Sequence, residues 1–153
     1  MEIELTVNGR QVAAEVEPQV LLLDFLRDEL DLTGAKRSCD VQVCGTCTVL
    51  VDDAPVSACT YLAHEAHGRS VLTIEGFARH ADFGRYAEAF ERHAALQCGY
   101  CTPGFLLTIK SLADAGELRS EDEIRHGLDG NICRCTGYRA ILDAAREIAG
   151  VGR

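Results

Sequence analysis

The chain has 153 residues, 47% of them hydrophobic, which is enough for one or two small cored domains. Fifteen basic against twenty-four acidic side chains leave a formal charge of −9, and with no Lys/Arg cluster to interrupt that balance, nucleic acid and anionic membrane surfaces are excluded as expected partners. The opening "MEIELTVNGR" lacks the basic-then-apolar order of a secretory signal, and the longest aliphatic run, "VLLL" at 20–23, is too short for a membrane span; a cytoplasmic protein is expected.

Ile3, Leu5 and Val7 alternate, Asn8-Gly9 follows, and Val12, Ala14 and Val16 alternate again. This predicts a hairpin with a two-residue turn, where Asn and Gly tolerate positive φ. "VLLLDFLRDEL" (20–30) sets Leu22, Leu26 and Leu30 at helical spacing behind Pro18, predicting a helix packed on that hairpin. A second hairpin is predicted for "CTVLVDDAPVSAC" (47–59) and a strand for "SVLTIE" (70–75), which completes a mixed domain over 1–76.

After an irregular linker at 77–84 the periodicity turns helical. "RYAEAFERHAAL" (85–96), "TPGFLLTIKSLADAG" (102–116), "SEDEIRHGL" (120–128) and "GYRAILDAAREIAG" (137–150) predict four short helices, a bundle over 85–153. Ser120 and Glu123 read as a capping box, Gly116 and Gly150 as C-terminal stops. The fold class is therefore α+β. Each domain has fewer than about 80 residues, a size at which a metal site commonly staples the core.

Eight cysteines fall four to each domain. In a reducing compartment they point to metal or redox duty rather than to disulfides. Cys39, Cys44, Cys47 and Cys59 are spaced C-x4-C-x2-C-x11-C, the plant-type spacing for a [2Fe–2S] cluster. Structural zinc is the alternative, but it usually takes two knuckles of two ligands, and here Cys59 stands alone. None of His64, His67, His80, His93 or His126 makes a Cys-x-His pair, so a Rieske centre is not expected. Cys98 and Cys101 can hold one metal ion and Cys133 and Cys135 another; by itself this spacing leaves zinc open. Each of these pairs runs into a threonine, Thr102 or Thr136, that reads as the N-cap of a new helix, so two helix N-termini are expected to face one cluster.

"TGAKRSCDVQVCGTCTVLVDDAPVSAC", "LQCGYCTPGF" and "GNICRCTGYRAI" together resemble the small iron–sulfur subunit of the molybdenum hydroxylases, the xanthine oxidase and aerobic carbon monoxide dehydrogenase family. The resemblance covers nearly the whole chain. It implies a β-grasp plant-type ferredoxin domain followed by a four-helix bundle, each with one [2Fe–2S] cluster. It implies a large partner subunit with the molybdopterin cofactor and a medium one with FAD, in a dimer of heterotrimers. Electrons would pass from molybdenum through the helical-domain cluster, then the β-grasp cluster, to flavin. By the same resemblance Gln97 and Cys135 meet the molybdopterin. A free-standing two-cluster ferredoxin and a zinc-stapled interaction module are the alternatives.

The first loop departs from the family's usual G-C-x-x-G-x-C-G-A-C pattern: Ser38 precedes Cys39, Gln42 holds the inner glycine position and Thr46 replaces alanine. A left-handed Gln42 would cost about 1–2 kcal/mol. Gly45 is expected to allow close backbone approach to sulfur.

Overall fold

The computed structural model describes residues 1–152. Both predicted hairpins form. β1 (Glu2–Val7) pairs antiparallel with β2 (Arg10–Glu15) across Asn8-Gly9, both at positive φ. β3 (Thr48–Val51) pairs with β4 (Ala54–Ser57) across Asp52-Asp53, which take the same left-handed turn without glycine. β5 (Ser70–Leu72) lies between β1, to which it is parallel, and β3, to which it is antiparallel. The mixed sheet has the order β2-β1-β5-β3-β4.

The helix predicted over 20–30 is shorter. Leu21 bridges Leu62 and the Val20 carbonyl accepts the Ala63 amide, so α1 (Leu22–Asp24) begins only at Leu22 and continues as a π-turn over Phe25–Glu29. The wider turn buries Leu22, Leu23, Phe25 and Leu26 together against Ile3, Leu5, Val49 and Val51.

The strand predicted to Glu75 ends at Leu72, because α2 (Ile74–Phe77) turns the chain off the sheet. The segment 77–84 is not an irregular linker throughout. Phe77 is fully buried and makes edge-on contacts with Phe83 and Tyr86 at 5.3 and 5.0 Å between ring centroids, so the second core begins inside it. α3 (Phe83–Arg92), α4 (Thr102–Asp114), α5 (Glu121–Gly127) and α6 (Arg139–Ala149) follow. Gly116 and Gly150 end α4 and α6 with φ of +69° each. Only half of the predicted capping box forms: Ser120 accepts the Glu123 amide, but the Glu123 carboxylate takes the Arg119 amide and guanidinium instead.

β3 is buried on both faces. Val49 and Val51 join the sheet core with α1, whereas Leu50 joins the helical core. No helix among the described residues is long and apolar enough to cross a membrane.

Candidate metal centres

The second hairpin sets up the first centre. Cys47 precedes β3 and Cys59 follows β4, so the register that pairs Thr48 with Ser57 brings both thiols to one end of the ribbon. The Ala58 amide donates to the Cys47 carbonyl there at 3.4 Å. Cys39 and Cys44 reach the same place on a loop that turns through Asp40, Gln42 and Gly45, all at positive φ. Gln42 does take the left-handed conformation, at φ +59°, and its carboxamide oxygen accepts from the Thr60 hydroxyl.

The loop aims donors at sulfur. The amides of Val43 and Cys44 each lie 3.4 Å from Cys39 Sγ. Hydrogen bonds from the backbone of Val41, Val43 and Cys44 bring the Cys39 thiol down to about 6. Cys47, by contrast, is pushed up to about 12 by burial and by the adjacent Cys59.

The second centre sits on two loops that enter helices. Cys98 and Cys101 lead into α4, and Cys133 and Cys135 stand on the loop before α6. Cys135 Sγ is 3.5 Å from Cys98 Sγ, and Cys101 lies beside Cys133. Burial raises the Cys101 thiol to about 12. Burial acts the same way on Cys133, but the hydroxyl and amide of Thr136, at 3.1 and 3.4 Å from its sulfur, hold it below its usual range on balance. Cys135 is raised by its hydrogen bond with Cys98.

The threonine caps do not form. The N-cap of α4 is Cys101, with Thr102 already in the first turn, and no side chain caps it. α6 starts at Arg139 behind a left-handed Tyr138, because the Thr136 hydroxyl is committed to Cys133 Sγ and to accepting the Tyr138 amide. Of the two helix N-termini, only that of α4 abuts its cysteine pair directly.

The two loops touch. The Ile132 amide donates to the Cys44 carbonyl at 2.9 Å, and the buried Asn131 carboxamide donates to the Gly45 carbonyl at 3.3 Å. Gly45 is needed for this contact: a Cβ there would lie 2.5 Å from both Asn131 Nδ2 and the Gly130 carbonyl. Gly104 of α4 is just as tight, since its Cβ would fall 2.1 Å from the Gly45 carbonyl. Gln97 lies in the loop after α3 and donates to the Cys135 carbonyl at 3.1 Å. Sequence reasoning missed Asn131, Tyr100 and the sulfur contacts of Thr46 and Thr136; the one signal they carry is position beside a cysteine.

The eight thiols thus gather into two sets of four, and within each set they approach in pairs: Cys39 with Cys44 and Cys47 with Cys59, then Cys98 with Cys135 and Cys101 with Cys133. The pairs expected from the spacing, Cys98 with Cys101 and Cys133 with Cys135, are exchanged because the two loops meet side by side. Among the described residues, no three His, Cys, Asp or Glu side chains close round a single metal ion. Two thiols per metal with amide and hydroxyl donors at the sulfurs suit a two-iron cluster, which bears net negative charge with four thiolates. Such a cluster supplies one-electron transfer.

Two known families match the chain in tandem: "2Fe-2S iron-sulfur cluster binding domain" over residues 5–73 and "[2Fe-2S] binding domain" over 73–146. The gamma subunit of caffeine dehydrogenase from Pseudomonas sp. strain CBB1 is 43% identical over 150 residues, covering 96% of this chain and 90% of that one. The small subunit of nicotine 6-hydroxylase from Paenarthrobacter nicotinovorans is also 43% identical, over 98% and 90%. Among solved structures, quinoline 2-oxidoreductase from Pseudomonas putida 86 superposes with a TM-score of 0.91 at 43% identity, over 98% of this chain and 94% of that chain. The fold and sites are those of a protein with two [2Fe–2S]-binding domains. The chain belongs to the small iron–sulfur subunits of the molybdenum hydroxylase family.

Proposed function

We propose that the chain is the electron relay of a molybdenum-dependent hydroxylase or dehydrogenase. Cys39, Cys44, Cys47 and Cys59 hold one [2Fe–2S] cluster in a β-grasp ferredoxin domain (1–76). Cys98, Cys101, Cys133 and Cys135 hold the other in a four-helix bundle (85–153), with 77–84 as the connection. Single electrons enter from a molybdopterin cofactor on a large partner subunit at the helical-domain cluster, with Gln97 and Cys135 at the contact. They leave from the β-grasp cluster to FAD on a medium subunit. The complex is a dimer of heterotrimers in the cytoplasm.

The observation that carries the relay is the bond from the Ile132 amide to the Cys44 carbonyl, which joins the neighbour of one candidate ligand directly to another in the other set. The distribution of exposed apolar side chains favours a subunit over a free-standing ferredoxin. Apart from Met1, the large exposed hydrophobics among the described residues are Val41, Val43, Leu96, Tyr100, Ile132 and Tyr138, each within three residues of a cysteine. Apolar surface gathered round both centres suits burial under partners.

The test is anaerobic purification followed by metal analysis and co-purification with candidate partners. About four irons and four acid-labile sulfides per chain, with two S = 1/2 signals on reduction, are expected. Zinc in place of iron supports the stapled module instead. In the complete complex Cys59→Ala should leave reduction of the helical-domain cluster by substrate intact and slow flavin reduction severely; flavin reduction at the unaltered rate contradicts the order of the relay.

A further inference from the structure

We propose that Thr46 and Thr136 are matched positioning residues that set the reduction potentials of the two clusters, each by donating its hydroxyl proton to one ligand sulfur. The inference rests on the ligand assignment above.

Thr136 has no other use for its proton. Its Oγ1 lies 3.1 Å from Cys133 Sγ and accepts the Tyr138 amide at 3.2 Å, so a lone pair is engaged and the hydrogen is left for sulfur. In the first centre the buried Thr46 Oγ1 lies 3.2 Å from Cys44 Sγ and 3.3 Å from the Lys36 carbonyl. A hydroxyl-to-carbonyl bond is ordinarily about 2.7–2.8 Å, so 3.3 Å is long, whereas 3.2 Å is close for the larger sulfur atom. A thiolate bound to iron can only accept. The Lys36 carbonyl can only accept as well, but the shorter fit and the charge of an iron-bound thiolate favour Cys44 as the partner of the Thr46 proton. Alanine, which the family's usual pattern has here, offers no such donor.

The direction follows from charge. Two ferric ions, two sulfides and four thiolates sum to −2; one electron converts one ferric ion to ferrous and makes the total −3, with no proton taken up. A donor at a ligand sulfur interacts more strongly with the more negative state, and so favours the reduced cluster. Each threonine raises the potential of its own cluster and leaves the other unchanged.

The experiment is an EPR-monitored redox titration of the full chain carrying both clusters, as the unaltered protein and as Thr46→Val and Thr136→Val. Each valine should lower the reduced-to-oxidised ratio of its own cluster about tenfold at a given potential, equivalent to about 59 mV for one electron. Serine at the same position should restore it. Where valine does not load iron, alanine takes its place. Unshifted potentials with iron and sulfide contents intact overturn the inference and leave the cluster assignment standing. Lost iron without a shift in the clusters that remain also overturns it, by assigning the threonines a packing role. Zinc in the unaltered chain is the separate result that removes the assignment and the inference together.

Discussion

The phenol of Tyr100 donates to the backbone carbonyl of Arg37 at 2.5 Å, across 63 positions of sequence. Tyr100 stands between Cys98 and Cys101, and Arg37 lies two residues before Cys39, so one bond ties the entrance of each cysteine loop to the other. Arg37 is itself paired with Asp24 and Asp40.

Tyr100→Phe removes this bond and leaves the ring. The carbonyl is near solvent and regains water, so the cost should be about 0.5–1.5 kcal/mol, and the midpoint of thermal unfolding should fall by about 1–6 °C with both clusters retained. An unchanged midpoint in calorimetry would show that the tie contributes nothing to stability.

Two helical glycines should respond to alanine in opposite directions. A Cβ at Gly84 in α3 would meet nothing within 4 Å, so Gly84→Ala should stabilise by up to about 1 kcal/mol. Gly104→Ala gains the same propensity but drives a Cβ into the Gly45 carbonyl, and should destabilise by about 1–3 kcal/mol on balance. Chemical denaturation of the two variants checks the pair; stabilisation by both would mean that the junction opens freely.

After chelation of the metal, the thiols should differ in reactivity by their surroundings. Cys39, brought down to about 6 by backbone donors, is mostly thiolate at pH 7, whereas Cys47 and Cys101 at about 12 remain protonated and buried. Alkylation with iodoacetamide followed by peptide mass mapping should label Cys39 first. Its rate should fall as pH drops through about 6, because protonation removes the nucleophile. Equal labelling of Cys39 and Cys47 at pH 7 would contradict this.

The carboxamide of Gln97 donates to Cys135 within the chain, so Gln97→Ala should loosen the loop as well as the proposed cofactor contact. Loss of the proposed cofactor contact, buried in the complex, costs about 1–3 kcal/mol, and reduction of the helical-domain cluster by substrate should slow by roughly five- to hundredfold. Rapid-reaction kinetics on the complete complex, with iron content as the control, make the comparison. Unchanged kinetics would move the docking face elsewhere.

The hairpins were legible in the sequence because a period of two and a turn pair such as Asn8-Gly9 are local signals. The cysteine spacings are local signals too, but they mispaired the second set, where Cys98 meets Cys135 and Cys101 meets Cys133, and the left-handed Gln42 was suggested by the family's glycine pattern and not by spacing. What escaped was decided by distant partners. The helix over 20–30 lost its first turn to a bridge with Leu62, and the strand at 70–75 lost its end to a helical turn that buries Phe77. The threonines after Cys101 and Cys135 looked like caps, since a one-dimensional pattern cannot show that a hydroxyl three residues from Cys133 curls back to its sulfur. Nor does any local pattern announce the contact of Asn131 with Gly45.

That contact also has a bearing on biogenesis. The loop bearing Cys39 and Cys44 leaves the ribosome 86 positions ahead of the side chain that holds its Gly45 carbonyl. At about 5–20 residues per second, roughly 4–17 s separate the two. Through the first part of that interval Leu50 also waits, its outward face uncovered until α4 arrives. The nascent first half is therefore an open, apolar-faced intermediate with a loosely held thiol loop, and iron delivered then would meet a site not yet in its final shape. Filling of both centres is expected only once the segment around Asn131 has closed the junction on Gly45.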